Sequence, residues 1–393
     1  MIDIEVIKYG GSSVSDKEKI DILCIDIKKK IDKGKKIVII VSAMGKTTDE
    51  LEFKSSLFSG ETEFPKEKAV LLCTGELQSA ALFSMSLNRN KVSANVMTPF
   101  ECNLLLKGDY LDSNFCNMKG QVIFDLFKRF NAIVIPGFHG FDENNVIKLL
   151  GRGGSDTTAV AVSASLGLKK VSIYSDVDGV YTADPKIVKN SKMISELDYN
   201  IMKVMSDSGA KVLHSKCIDI AMKKNISIHC KGSFIKGNGT IIKKIKHFNK
   251  KTPIAIVSDI SKALVILSGV SCINKIMDNF INYEQIILSN EKVFVFPKKT
   301  EFLKFMDNIA KKHININMEY KLNIAKISIV GYGFNEKNLY KDKILDLLKK
   351  DNIDFFAQKN TKNCFSVYIN EGLYRRVTEL FHYEFIEKKI KNI

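Results

Sequence analysis

Apolar and mixed stretches alternate on a short cycle from the start of the chain. Ile4 to Lys8 reads as a short buried strand stopping at Gly10 and Gly11, and Val14 to Ile31 then sets Ile20, Leu23, Ile27 and Ile31 at helical spacing. A second strand, Lys36 to Ser42, follows. Strand, helix, strand in so short a span is the unit of a mainly parallel sheet. The alternation continues with a helix near Leu71 to Leu87, a strand near Val92 to Met97, a helix near Gln121 to Phe130 and a strand near Ala132 to Pro136. Gly151 to Gly154 open an alanine-rich helix, Thr157 to Leu166. A strand at Lys170 to Tyr174 and a helix through Ala210 to Lys224 come next. Residues 1–245 are therefore expected to form one α/β domain, an open and mainly parallel sheet sandwiched by helices.

Around Lys243 to Lys251 the pattern gives way to a basic stretch with little apolar content, read as a linker. Beyond it the strands are short and paired, as in Leu264 to Ser268, Gln285 to Leu288 and Lys292 to Pro297, with a helix at Glu301 to Lys312. The order is roughly β-α-β-β-α-β. A second pass begins at Ala325 to Val330, with a helix at Tyr340 to Asp351, strands near Asp354 to Gln358 and Cys364 to Asn370, and a last helix from Glu371. Residues 252–393 are expected to hold two small α+β, ferredoxin-like modules, about 252–320 and 321–393.

The 393 residues are 45% hydrophobic and 26% charged, enough for two or three cored domains and unlike a disordered chain. Apolar runs such as Ile37 to Val41 fall far short of the roughly 20 residues that a membrane-spanning helix needs, so a soluble protein with no membrane partner is expected. No basic start, apolar centre and cleavage site mark an export signal. Eight cysteines without a Cys-x-x-Cys pair fit a reducing cytoplasm, and no metal site is expected. The net charge of +16 would fit a nucleic-acid partner, but only five arginines (Arg89, Arg129, Arg152, Arg375 and Arg376) stand among 60 basic residues. Base and phosphate recognition favours the planar fork of arginine, so no nucleic acid is expected.

Three loops carry candidate chemistry. Lys8-Tyr9-Gly10-Gly11-Ser12-Ser13 lies between a strand and a helix, where backbone N–H groups and a positive helix end await an anion. A structural turn with a surface lysine fits those residues equally well. Gly151-Arg152-Gly153-Gly154-Ser155-Asp156-Thr157-Thr158-Ala159 crowds an arginine, a hydroxyl and a carboxylate onto one such turn, more than capping requires. Tyr174-Ser175-Asp176-Val177-Asp178-Gly179-Val180-Tyr181-Thr182-Ala183-Asp184-Pro185-Lys186 follows a strand and brings acids, a tyrosine and a lysine.

In this order the segments resemble the aspartate kinase branch of the amino acid kinase family. Val41 to Leu51 (VSAMGKTTDEL), Cys73-Thr74-Gly75-Glu76, Gly209 to His214 (GAKVLH) and the closing modules, which look like ACT domains, extend the likeness over nearly the whole chain. The resemblance implies transfer of the ATP γ-phosphoryl group to the side-chain carboxylate of L-aspartate. That carboxylate, with a pKa near ~3.9, needs no general base, so the obstacle is repulsion between two anions. Lys8 is the expected cation, helped by the N–H groups of Gly10 and Gly11 with Ser12 beside them, and by Mg2+ carried on ATP. The likeness further implies that Arg152 clamps the α-carboxylate and that Glu76 faces the ammonium. Ser42, Thr48 and Ser155 would bond the reacting groups, and Asp156 would organise Lys8. Ser175, Asp176, Tyr181, Lys186 and Lys211 would hold the nucleotide.

Ser215 stands where relatives usually have proline, and Thr98 to Glu101 lacks their glycine-tryptophan-glutamine. Gly269 to Asn274 and Gly331 to Asn335 lack the proline of the effector-cradling turn in ACT modules. A lysine effector, a threonine effector and none all stay open, while pairing of chains through the tail into a homodimer or higher oligomer is expected. Two other readings remain beside the aspartate kinase: a kinase of another amino-acid carboxylate or carbamate, and a nucleotide-binding sensor without turnover.

Overall fold

The computed structural model describes residues 2–59, 64–245, 252–268, 283–288, 291–311, 318–334 and 339–388. Residues 246–251 of the expected linker, the whole of Gly269 to Asn274, and Asn335 lie outside them. Contacts within the chain divide it into two units. One comprises Met1–Val180, Met193–Ser206 and Lys211–Lys246; the other comprises Tyr181–Lys192, Asp207–Ala210 and His247–Ile393.

The first unit is built on an eight-stranded sheet. Its centre is the strand Ile4–Tyr9, flanked in parallel by Lys36–Val41 and Lys170–Ser175. Ala132–Pro136 and Ser227–Gly232 extend it in parallel on either side, and only Thr240–Lys243 pairs antiparallel, with Ser227–Gly232. Helices cover the sheet, which is why Ile37 through Val41 are all fully buried and the run is apolar without alternation. Each such side chain contributes about 1.5–3 kcal/mol relative to exposure.

Differences from the expected elements have local causes. The first helix begins at Lys17 because Asp16 caps it, accepting the Lys19 N–H at 2.9 Å, and Gly11–Val14 forms a separate tight turn. The expected helix from Ala210 starts only at Ser215, and Tyr199–Asp207 is a helix of its own. Gly209, at φ +113°, breaks the two apart. Among the described residues one helix, Pro65–Arg89, is long and apolar enough to cross a membrane. It arises from residues that the short apolar runs conceal, and its buried face, including Ala80, Phe83 and Leu87, packs into the core.

The second unit is α+β, on a six-stranded sheet in antiparallel pairs. Two long strands, Pro253–Ser268 and Met318–Gly331, run side by side through its whole width, so the expected division near residue 320 falls inside one strand. Both strands bend where Ser261 (φ +63°) and Asn323 (φ +55°) take left-handed backbone, at shifts in their pairing. The sheet curls enough for its edge strands to meet. Glu284 on one edge pairs with Lys359 on the other at 2.9 Å, and with Lys326 at 2.7 Å and the Tyr368 hydroxyl at 2.6 Å. Burial would raise the Glu284 carboxyl, but these partners hold it at about 2.

Candidate active site

Register brings the carboxyl ends of five parallel strands of the first unit level. Tyr9 lies opposite Val41 and Tyr174, Val41 opposite Pro136, and Ser175 opposite Gly232. The chain leaves the central strand toward Lys36–Val41 and returns on its other side as Lys170–Ser175. That strand is thus the switch point beside which open α/β sheets bind ligands. Lys8 stands at its end.

Lys8 Nζ lies 2.6 Å from Asp156 Oδ1, with the two residues 8% and 7% exposed. Asp156 sits in the first turn of the helix Gly154–Ser165, whose N-terminal N–H groups favour an anion. Gly10 donates its N–H to Tyr174 O at 3.0 Å. Gly11 has no room for a side chain, because a Cβ there would meet Ala43 O at 2.6 Å, and its own carbonyl accepts the Gly45 N–H. Two glycine turns therefore lie against each other beside the Lys8 ammonium.

Glu76, on Pro65–Arg89, is 3% exposed. Burial pushes its carboxyl up to about 7, against hydrogen bonding from the Ala43 main chain and the attraction of Lys8. Its Oε2 is buried without a hydrogen-bond partner among the described residues. A buried carboxyl oxygen left without a hydrogen-bond partner suits an incoming cation. Ser42 begins where Lys36–Val41 ends, its N–H on Tyr9 O at 3.2 Å, and Thr48 lies half-buried in the first turn of Thr47–Ser59. Ser155 packs on Gly137, where an added Cβ would come within 2.7 Å of Ser155 Oγ.

Arg152 is exposed on its loop and has no partner among the described residues. Its neighbour Gly153, at φ +67°, has His214 so close that a Cβ would meet His214 Cβ at 2.4 Å. His214 thus shapes the arginine loop by contact. The other end of the loop is fixed by Lys216, which reaches Asp112 at 2.6 Å and Leu150 O at 3.4 Å. Nothing in the sequence pattern singles out Asp112 or Lys216, since their roles depend on contacts far apart in the chain.

Beyond the end of Lys170–Ser175, the Ser13 and Ser233 hydroxyls lie 2.6 Å apart, and Ser233 N–H donates to Ser175 O at 2.8 Å. Ser233 is a residue that the motifs did not flag. Ser12, Asp176 and Lys211 are exposed, and Ser175 is half-buried. These four belong to the first unit with Lys8, Gly10, Gly11, Ser42, Thr48, Glu76, Arg152, Ser155 and Asp156, whereas Tyr181 and Lys186 belong to the second. Among the described residues no three His, Cys, Asp or Glu side chains cluster as a metal site.

A model of the amino acid kinase family matches residues 3–232. The chain belongs to that family. Within it, the chain is 30% identical to an aspartate kinase of Pseudomonas fluorescens (strain SBW25) over 399 residues, covering 96% of each chain. It is 30% identical to an aspartokinase of Geobacillus stearothermophilus, covering 97% of each. In structure it is similar to E. coli aspartokinase III in complex with aspartate and ADP, with a TM-score of 0.82, 18% identity, and coverage of 97% of this chain and 99% of that one. The fold is accordingly the amino acid kinase sheet followed by an ACT-like antiparallel region.

Proposed function

We propose that this chain transfers the γ-phosphoryl group of ATP to the side-chain carboxylate of L-aspartate, giving 4-phospho-L-aspartate, the first step toward lysine, methionine and threonine. The observation that carries this reading is the buried Glu76 Oε2, which has no hydrogen-bond partner among the described residues. An acceptor with a free ammonium would satisfy that oxygen; an acylated amino acid or a carbamate would not. Aspartate would then be held from both ends, with Glu76 on its ammonium and Arg152 on its α-carboxylate.

The reaction needs no proton transfer. A carboxylate oxygen forms a bond to the γ-phosphorus as the bond to the bridging oxygen breaks, and that electron pair leaves with ADP. Lys8, kept in place by Asp156, and the Gly11 N–H gather the charge that spreads over the γ-oxygens, whereas the expected Gly10 N–H is engaged by Tyr174 O and only shapes the turn. Ser42, Thr48 and Ser155 align the reacting carboxylate, while Ser12, Ser175, Asp176, Tyr181, Lys186 and Lys211 hold the nucleotide. Mg2+ bound to the ATP phosphates supplies further positive charge. We place the reaction in the cytoplasm, where the seven described cysteines, none in a disulfide, would stay reduced. The second unit is the natural place for pairing of chains and for an amino-acid effector.

Trapping the acyl phosphate with hydroxylamine, using purified protein, ATP, Mg2+ and a panel of acids, tests the proposal. Hydroxamate should form with aspartate. Formation with another acid and not aspartate would reassign the acceptor, and none with any acid would leave a nucleotide-binding sensor.

A further inference from the structure

Residues 181–192 continue the nucleotide phrase, yet they are built into the second unit. Ala183 and Val188, 3% and 4% exposed, lie in one apolar cluster with Phe334, Phe381 and Phe385. The main chain is tied down as well. Ile256 N–H donates to Thr182 O at 2.7 Å, and Arg375 Nη1 donates to Lys186 O at 3.4 Å.

The polar centre of this packing is His382, fully buried at the end of the helix Tyr374–His382. Its Nε2 lies 2.9 Å from Thr182 Oγ1 and its Nδ1 lies 2.9 Å from Glu387 Oε1. Glu387 Oε2 accepts from Asn190 Nδ2 at 3.2 Å. His382 meets Glu387 because the helix opens into a π turn, Tyr383–Glu387, whose wider spacing stacks the two residues. Such turns concentrate at functional sites. The Thr182 hydroxyl also accepts the Lys192 N–H at 2.9 Å, so the contact with the ring extends to the main chain at the far end of the segment. One imidazole therefore reaches Thr182 directly, and Asn190 through Glu387, near the two ends of the segment.

We propose that His382 is a positioning residue for nucleotide binding: acting through Thr182 and Glu387, it fixes residues 181–192 in the conformation that presents Tyr181 and Lys186 to the nucleotide. The proposal rests on the reading that this segment holds ATP. It makes the last helix of the chain a determinant of nucleotide affinity, separate from aspartate recognition.

The test uses the full chain, with ADP binding by calorimetry, initial rates with ATP and aspartate varied separately, and thermal midpoints. Thr182→Val removes the hydroxyl at nearly constant volume. It should weaken ADP and raise KM for ATP roughly five- to tenfold, with KM for aspartate changed less than about twofold, as expected for one lost buried hydrogen bond. Thr182→Ser keeps the hydroxyl and should behave as wild type. His382→Gln, whose amide can still reach Thr182, should fall between them. Unchanged ADP affinity in Thr182→Val would overturn the proposal. So would parallel losses in kcat, both KM values and thermal midpoint that Thr182→Ser shares. Lys186→Ala separates the two layers. If it weakens ADP while Thr182→Val does not, only the positioning role fails; if it leaves ADP binding intact, the nucleotide reading of the segment fails and the positioning role falls with it.

Discussion

Lys8 and Asp156 meet at 2.6 Å where the central strand ends and the helix Gly154–Ser165 begins. The strand supplies the cation, and the helix supplies both its counter-ion and a positive end. Removing the cation should therefore lower turnover and strand a buried carboxylate. Lys8→Ala is expected to lose roughly 10²–10³-fold in kcat with nucleotide binding largely kept. Stability should fall by about 3 kcal/mol. Lys8→Ala with Asp156→Asn should recover much of that stability and none of the turnover. Steady-state rates and urea denaturation measure both effects, and near-normal turnover in Lys8→Ala would remove Lys8 from the chemistry.

The buried Glu76 carboxyl makes the protein sensitive to pH. In the native state that carboxyl titrates at about 7, above the ordinary 4.5, so between those values the native state holds more protons than the unfolded chain. Stability of the free protein should fall as pH rises across that window, by at most about 3 kcal/mol once Glu76 is ionised. Glu76→Gln should abolish this slope and be more stable than wild type at pH above about 8. It should also raise KM for aspartate at least about tenfold. In wild type, aspartate affinity should weaken as pH falls below that same point. Melting curves across pH for both proteins check the sign, and identical slopes would count against an ionisable, unpaired Glu76.

Arg152 is exposed and has no partner among the described residues, which suits a two-pronged grip on a carboxylate. A lysine there offers a point charge without the planar fork. Arg152→Lys should raise KM for aspartate about tenfold while KM for ATP holds. An equal rise for both substrates would place Arg152 on the phosphates instead.

Gly153 and Gly167 share nearly the same left-handed backbone, φ +67° and φ +70°, but only Gly153 has a crowded Cβ position. Gly167→Ala should cost about 1–2 kcal/mol, the backbone preference alone. Gly153→Ala must also displace His214 and should cost more, with weakened aspartate binding because Arg152 is its neighbour. Chemical denaturation of both variants gives the comparison, and equal losses would mean that the His214 contact yields freely.

Much of this site was legible because its chemistry is local in sequence. Lys8 with Gly10 and Gly11, and Arg152 through Asp156, each sit on a single strand-to-helix turn that glycine and polar residues announce. The same holds for the parallel sheet, whose apolar runs and helical periods alternate plainly. The support around the site was not legible. Asp112 and Lys216 meet across a long stretch of chain, Ser233 faces Ser13 only after two strands pair, and no periodicity marks either event. The bends at Ser261 and Asn323 escaped for a related reason: non-glycine residues adopt left-handed backbone there because the pairing of two long strands demands it. The late start of the helix at Ser215 turns on the conformation of Gly209, which composition alone leaves open.

The interleaving of residues 181–192 with the second unit has a consequence for anyone who would dissect or recombine this protein. A chain truncated after the last strand of the parallel sheet would keep every residue proposed to hold aspartate and still expose Ala183 and Val188 to water, stripped of the aromatic side chains that shelter them. Shuffling tails between relatives carries the same hazard, because a foreign tail must supply matching upholstery for a stretch of chain it did not evolve with. The two halves of this molecule are thus inherited as a pair.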